Sequence, residues 1–146
     1  ADGVTEIEKE DLLYTDADFL IPAALEGQIT ADNADRVKAK YIVEGANGPT
    51  SYEADQILNA KGKIVVPDIL ANAGGVIVSY FEWVQNLQSL SWSLEEVNNK
   101  LADILLKAFD EVYGLTEERG YPMRTSAYII ALRRLVKTKK IRGIFP

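Results

Sequence analysis

One pattern constrains the fold more than any other: a short run of strand-forming residues ending in a loop of small residues, written three times. "DFLIPAA" (18–24), "KYIVEGANGPT" (40–50) and "KIVVPDILANAGG" (63–75) all follow it. Pro22 and Pro67 end their runs because proline has no N–H to give a sheet. Successive runs begin about 20 residues apart, enough for a crossover, so the strands are expected to be parallel with right-handed connections. Alternating strand and helix of this kind predicts an α/β architecture. In such sheets ligands bind beyond the C-terminal ends of the strands, where all three loops would lie.

The connections read as helices. Glu8 to Leu13 suits a short helix, and Thr30 to Val37 suits another, with Thr30 as its cap and Val37 turned inward. Thr50-Ser51-Tyr52-Glu53 has capping-box spacing, and Ala54, Ile57 and Leu58 then hold a helical period until Gly62. After Gly75, Val76, Val78, Tyr80, Phe81, Trp83, Val84 and Leu87 are apolar almost all round, which predicts a buried helix. Ser93 and Glu96 form a second capping box ahead of Leu94, Val97, Leu101, Ile104, Leu105, Ala108 and Val112. Gly114 and Gly120-Tyr121-Pro122 mark a break. A last helix over about 124–139 carries Ala127, Tyr128, Ala131, Leu132 and Leu135 on one stripe.

Composition removes several chemistries. The 146 residues contain no Cys and no His, so disulfides, thiolate metal sites, cysteine nucleophiles and imidazole acid–base catalysis are excluded. No Asp/Glu cluster has ligand-like spacing, so no metal site is expected. A net charge of −6 argues against a nucleic-acid partner. The one basic concentration, Arg133 to Arg142, reads as cations complementing a helix C-terminus. No apolar run reaches the roughly 18 residues of a membrane span, and the first residues are acidic; the expectation is a cytoplasmic protein.

Three loops carry the functional argument: Pro22-Ala23-Ala24, residues 44–50 (EGANGPT) and Asn72-Ala73-Gly74-Gly75. Their small residues allow backbone amides to approach a planar ligand. Asn47 and Asn72 bring amides that both donate and accept, as a carboxamide partner requires. Each loop also has a purely structural reading, because Gly and Asn serve turns as well. Gly74-Gly75 ahead of a helix offers N–H groups to an anion, although no GxGxxG or P-loop occurs. Lys61-Gly62-Lys63 reads as a helix C-cap, Glu82 as a helix carboxylate and Asp68 as a cap for the next turn. Ser79 lies one helical turn beyond Gly75, so its hydroxyl either faces the same ligand edge or bonds back to its own helix.

"EGANGPT" followed by "PDILANAGGVIVSYFEWVQNL", with "LIPAAL" upstream and "MRTSAYIIAL" downstream, resembles the C-terminal part of glutamate dehydrogenases, over about residues 11–137. The resemblance implies the second half of a Rossmann-like dinucleotide-binding domain (1–90, about three parallel strands) followed by a C-terminal helical segment packing on it (91–146). It implies oxidative deamination of L-glutamate to 2-oxoglutarate and ammonia, with hydride transfer to NAD or NADP. On that resemblance Ala24, Asn47 and Asn72 line the cofactor. Val76 packs near the substrate's aliphatic chain, and the Ser79 hydroxyl reaches its side-chain carboxylate. The family's catalytic Lys and Asp and its Gly-rich phosphate turn match nothing in these residues. The expectation is therefore a C-terminal fragment with no catalytic residue of its own, inactive alone, and part of a hexamer when complete. A stand-alone, non-catalytic binding or assembly module on the same scaffold is the other expectation.

Overall fold

The computed structural model describes Val4 and residues 6–143. It divides into two compact units, Ala1–Val65 and Val66–Pro146. The sequence-based boundary at residue 90 falls inside the second unit.

The first unit is built on the sheet. Strand β1 (Phe19–Leu20) pairs in parallel with β2 (Tyr41–Val43), Phe19 opposite Tyr41 and Leu20 opposite Ile42. Strand β3 (Ile64–Val66) lies on the other side of β2, giving the order β1-β2-β3 expected of consecutive crossovers. The side chains of Phe19 and Tyr41 stack across β1 and β2 with ring centroids 4.8 Å apart. Ile42 and Val65, the middle residues of β2 and β3, are buried, while their strand neighbours are only partly so. Helix α1 (Tyr52–Ala60) contributes Ala54 and Leu58, four residues apart on one face. They join Ile29, Ala34, Val37, Ala39, Ile42 and Val65 in one core. A leucine buried as completely as Leu58 contributes about 1.5–3 kcal/mol.

One strand end follows the expectation and two local expectations change here. β1 stops at Leu20 because Pro22 cannot donate, and the Pro22 carbonyl instead accepts from Ala46 N–H at 2.9 Å. The helix expected over 30–37 is replaced by a turn and a 3-10 helix, Ala34–Arg36. Asn33 causes this: its Oδ1 accepts from Thr30 N–H (2.8 Å) and its Nδ2 donates to the Gln28 carbonyl (2.9 Å), a local alternative to helical bonding. α1 is capped by Ser51 and not by Thr50, with Ala54 N–H donating to Ser51 Oγ at 3.2 Å. Val37 is buried as expected, the short N-terminal helix is a 3-10 helix at Lys9–Tyr14, and Gly62 ends α1 with φ of +71°. Beside it, Lys63 Nζ donates to the carbonyls of Lys38 (2.9 Å) and Ala39 (2.8 Å). Burial, and then the charge of Lys61, pushes Lys63 below the ordinary lysine range.

The second unit is helical: α2 (Asp68–Ala71), α3 (Ala73–Gln88), α4 (Leu94–Arg119) and α5 (Met123–Arg142). The expected capping box opens α4: Glu96 N–H donates to Ser93 Oγ (3.2 Å), and Ser93 N–H donates to Glu96 Oε2 (2.7 Å). α4 runs straight through Gly114, so that glycine marks no break; the helix ends at Gly120, where φ is +67°. α4 packs on α3 and on α5, and Thr116 Oγ1 donates to the fully buried Ser126 Oγ at 2.9 Å. Basic Lys139, Lys140 and Arg142 occupy the last turn of α5.

The expectation that α3 is a buried helix is overturned. Phe81 is its one buried residue among those described, packed edge-on to Trp92 with centroids 5.6 Å apart. Val76 is 76% exposed, and Tyr80, Trp83 and Leu87 are all more than half exposed. A helix apolar all round is buried only when neighbours cover every face, and within this unit α3 is covered on one side.

Candidate functional site

In the first unit the loops after β1 and β2 are joined. Ala46 N–H donates to the Pro22 carbonyl, and the chain beyond Ala24 returns beside residues 48–50. There Gly27 N–H donates to the Gly48 carbonyl and Ile29 N–H to the Pro49 carbonyl, each at 2.8 Å. Ile29 and Thr50 complete this with a parallel bridge. The EGANGPT loop is therefore rooted at both ends: Glu44, Pro49 and Thr50 are buried, while Asn47 and Gly48 are exposed. Ala24 is also exposed. The two residues assigned to a cofactor in this unit thus stand on the outer surface of two hydrogen-bonded loops.

In the second unit the expected Asn72–Gly75 loop is mostly helix. Asn72 is the half-buried N-cap of α3, and Ala73, Gly74 and Gly75 form its first turn. The two glycines serve different surfaces. A Cβ on Gly74 would meet Leu105 Cδ1 at 3.5 Å and Leu101 Cδ1 at 3.7 Å, so Gly74 lies against α4. A Cβ on Gly75 would meet nothing within 4 Å. Beyond Gly75 the exposed Val76 and Ser79 stand three residues apart, neighbours on one helical face. The Ser79 hydroxyl donates to the Gly75 carbonyl at 3.0 Å, the back-bonded arrangement. An incoming acceptor would have to draw that proton away by rotation about χ1.

Asp68 does more than begin a turn. Its Oδ1 accepts from Ile69 N–H (2.8 Å) and from Arg124 Nη1 (3.2 Å), both side chains being largely buried. This pair ties the start of α2, four residues ahead of Asn72, to the first turn of α5. Sequence reasoning missed it, yet a signal was present: a cation in the first turn of a helix opposes the dipole and calls for a specific partner. Glu82 is exposed on α3. No group of three metal-ligating side chains occurs among the described residues. No helix among them is long and apolar enough to cross a membrane.

A parallel sheet with small-residue loops at its C-terminal edge, followed by helices, belongs to the Rossmann-like class of α/β proteins. Residues 1–143 match the family model described as Glutamate/Leucine/Phenylalanine/Valine dehydrogenase. A glutamate dehydrogenase of Thermotoga maritima is 57% identical over 140 residues, covering 96% of this chain and 34% of its own length. An NADP-specific glutamate dehydrogenase of Synechocystis sp. is 54% identical over 138 residues, 94% of this chain and 32% of its own. A crystal structure of the hetero-hexameric glutamate dehydrogenase from Thermus thermophilus, in a Leu-bound form, superposes with a TM-score of 0.89. It is 36% identical and covers 99% of this chain and 35% of that one. The chain belongs to the glutamate/leucine/phenylalanine/valine dehydrogenase family. It spans about a third of the length of the curated relatives it matches.

Proposed function

We propose that the protein carrying this chain catalyses the reversible oxidative deamination of L-glutamate to 2-oxoglutarate and ammonia, passing a hydride to NAD or NADP. The observation that carries this reading is the open face of α3. An exposed aliphatic side chain, Val76, and an exposed hydroxyl, Ser79, stand one helical step apart beside a glycine with free space above it. That pairing matches a substrate whose short aliphatic side chain ends in a polar group: Val76 takes the methylenes and the Ser79 hydroxyl hydrogen-bonds the carboxylate. An aliphatic residue at position 79 would instead favour leucine or valine, because a site built to bond a polar group discriminates strongly against substrates that lack it. The glutamate dehydrogenase names of relatives above 50% identity support the same substrate.

On this reading Ala24, Asn47 and Asn72 contact the cofactor. Backbone at Ala24 allows close approach, and the two asparagine amides suit the nicotinamide carboxamide and ribose. The dinucleotide supplies the hydride acceptor; these residues would hold and orient it. No residue of this chain is assigned the proton chemistry, so residues 1–146 alone are expected to bind weakly and turn over nothing. We further infer a homo-hexameric, cytoplasmic enzyme; the hetero-hexameric assembly named for the Thermus neighbour supports the hexamer. The test is a steady-state assay of the full-length protein, reading reduced nicotinamide with L-glutamate, L-leucine and L-valine. Preferential turnover of L-glutamate is expected. Preference for a branched-chain amino acid overturns the substrate assignment, and no turnover with any of them overturns the reaction.

A further inference from the structure

Gly45 stands apart from the turn glycines of the first unit. Gly27, Gly48 and Gly62 have φ of +62°, +54° and +71°, and a Cβ on any of them would meet nothing within 4 Å. They are glycines because of backbone conformation. Gly45 is outside the positive-φ region, so its backbone would accept an alanine. Space resists it: a Cβ there would lie 3.0 Å from Ala23 Cβ, 3.4 Å from Ala23 Cα and 3.7 Å from Ile21 Cγ2. Carbon–carbon contacts settle at about 3.5–4.0 Å, so with the added methyl Ala23 and its loop must give by a few tenths of an ångström. One residue later, Ala46 N–H bonds the Pro22 carbonyl at 2.9 Å and holds the loops at that spacing. The chain atoms facing the missing Cβ belong to Ala23, the residue before Ala24, and Asn47 lies two residues beyond Gly45.

We propose that Gly45 is a positioning residue for the dinucleotide. Its missing side chain sets the separation of the β1 and β2 loops, so that Ala24 and Asn47 engage the nicotinamide half of the cofactor together. This rests on the cofactor reading of those loops. Gly45 itself touches no ligand on this account; it acts through Ala23 and through the Ala46–Pro22 hydrogen bond. A misplacement of about 1 Å costs positioned reacting groups about a hundredfold in rate, and a shift of part of that at two cofactor contacts is taken as about tenfold in binding.

The experiment compares the full-length parent with Gly45→Ala, Ala23→Gly and the double variant, titrating each with reduced dinucleotide and, separately, with ADP, which has no nicotinamide. Gly45→Ala is expected to raise the Kd for the dinucleotide about tenfold and leave that for ADP unchanged. The double variant, which removes the atom at 3.0 Å, is expected to recover most of the loss. Equal weakening of both ligands means a general structural role and overturns the proposal, as does failure of the double variant to recover. If Gly45→Ala does not fold, the double variant decides alone: parent-like dinucleotide binding supports the proposal and weakened binding overturns it. A parent that binds the dinucleotide while Gly45→Ala binds equally well overturns the inference only. A parent that binds no dinucleotide overturns the cofactor reading and the inference with it.

Discussion

Replacing Gly75 by alanine separates the two roles that a glycine at the start of α3 can have. If Gly75 is required by packing, a methyl there destabilises the protein; if it is required by a ligand, the methyl stabilises the free protein and harms binding. Packing within this unit does not require the glycine, and the proposed ligand role predicts the second outcome. Gly75 is helical, exposed, and has nothing within 4 Å of the position its Cβ would take. Its N–H donates to the Asn72 carbonyl (3.2 Å) and its carbonyl accepts from Ser79, bonds an alanine would keep. Where backbone conformation permits, Gly→Ala stabilises by about 0.4–1 kcal/mol, chiefly by restricting the unfolded chain. An unfolding entropy of about 2.1 cal/mol/K per residue gives about 0.3 kcal/mol/K for 146 residues, so the gain corresponds to a rise in Tm of about 1–3 °C. The assay is thermal unfolding of parent and variant followed by circular dichroism, alongside the KM for L-glutamate in the full-length protein, expected to rise about tenfold. A fall in Tm of more than about 2 °C would refute the reasoning, because it would mean that the space beside Gly75 is filled. An unchanged KM would remove Gly75 from the ligand surface.

Ser79→Ala is expected to leave Tm nearly unchanged, since its hydroxyl only bonds back to Gly75. The same change should raise the KM for L-glutamate about tenfold to a hundredfold, the worth of a hydrogen bond to a charged group. Measuring that KM against the one for L-leucine checks the specificity role. Thr50→Val should be neutral or stabilising by up to about 1 kcal/mol in denaturant titration, because the buried Thr50 Oγ1 has no hydrogen-bond partner. A large loss would reveal a partner. At the start of α4, hydrogen bonds first from the Ser93 backbone and then from its side chain hold the Glu96 carboxyl below its ordinary value of 4.5. A depressed carboxyl stabilises the fold above the ordinary value, and the contribution fades as pH falls through the lowered one. Stability of the parent relative to Glu96→Gln, followed by chemical denaturation from pH 7 downward, should therefore shrink below about 4.5.

Much of the secondary structure was readable because it rests on short-range chemistry. The Ser93–Glu96 capping box, the stop at Gly120, the C-cap at Lys61 with left-handed Gly62 behind it and the three short strands each follow from residues within a few positions of one another. The same locality explains the misreadings. Thr50 and Ser51 are equally good caps on paper, and Thr50 loses because its backbone bridges to Ile29 in a neighbouring segment. The 30–37 helix yields to Asn33, whose side chain captures two backbone groups that the helical pattern alone left undecided. Gly114 reads as a break, yet α4 continues through it, carried by packing on α3 and α5 that offsets the roughly 1 kcal/mol glycine costs a helix.

The sequence by itself therefore determined the α/β alternation, the caps and the small-residue loops, including the stretch that bears Asn72, Val76 and Ser79. Periodicity and turn chemistry act along the chain, and the chain carries them openly. Tertiary structure alone decided which surfaces are covered. It separated Gly74, which faces α4, from Gly75, which faces open space. It left α3 exposed where the pattern promised burial, linked Asp68 to Arg124 across 56 positions, and gave Gly45 its steric reason in Ala23. Burial depends on what the chain brings back from far along its length, and no local pattern records which neighbour returns.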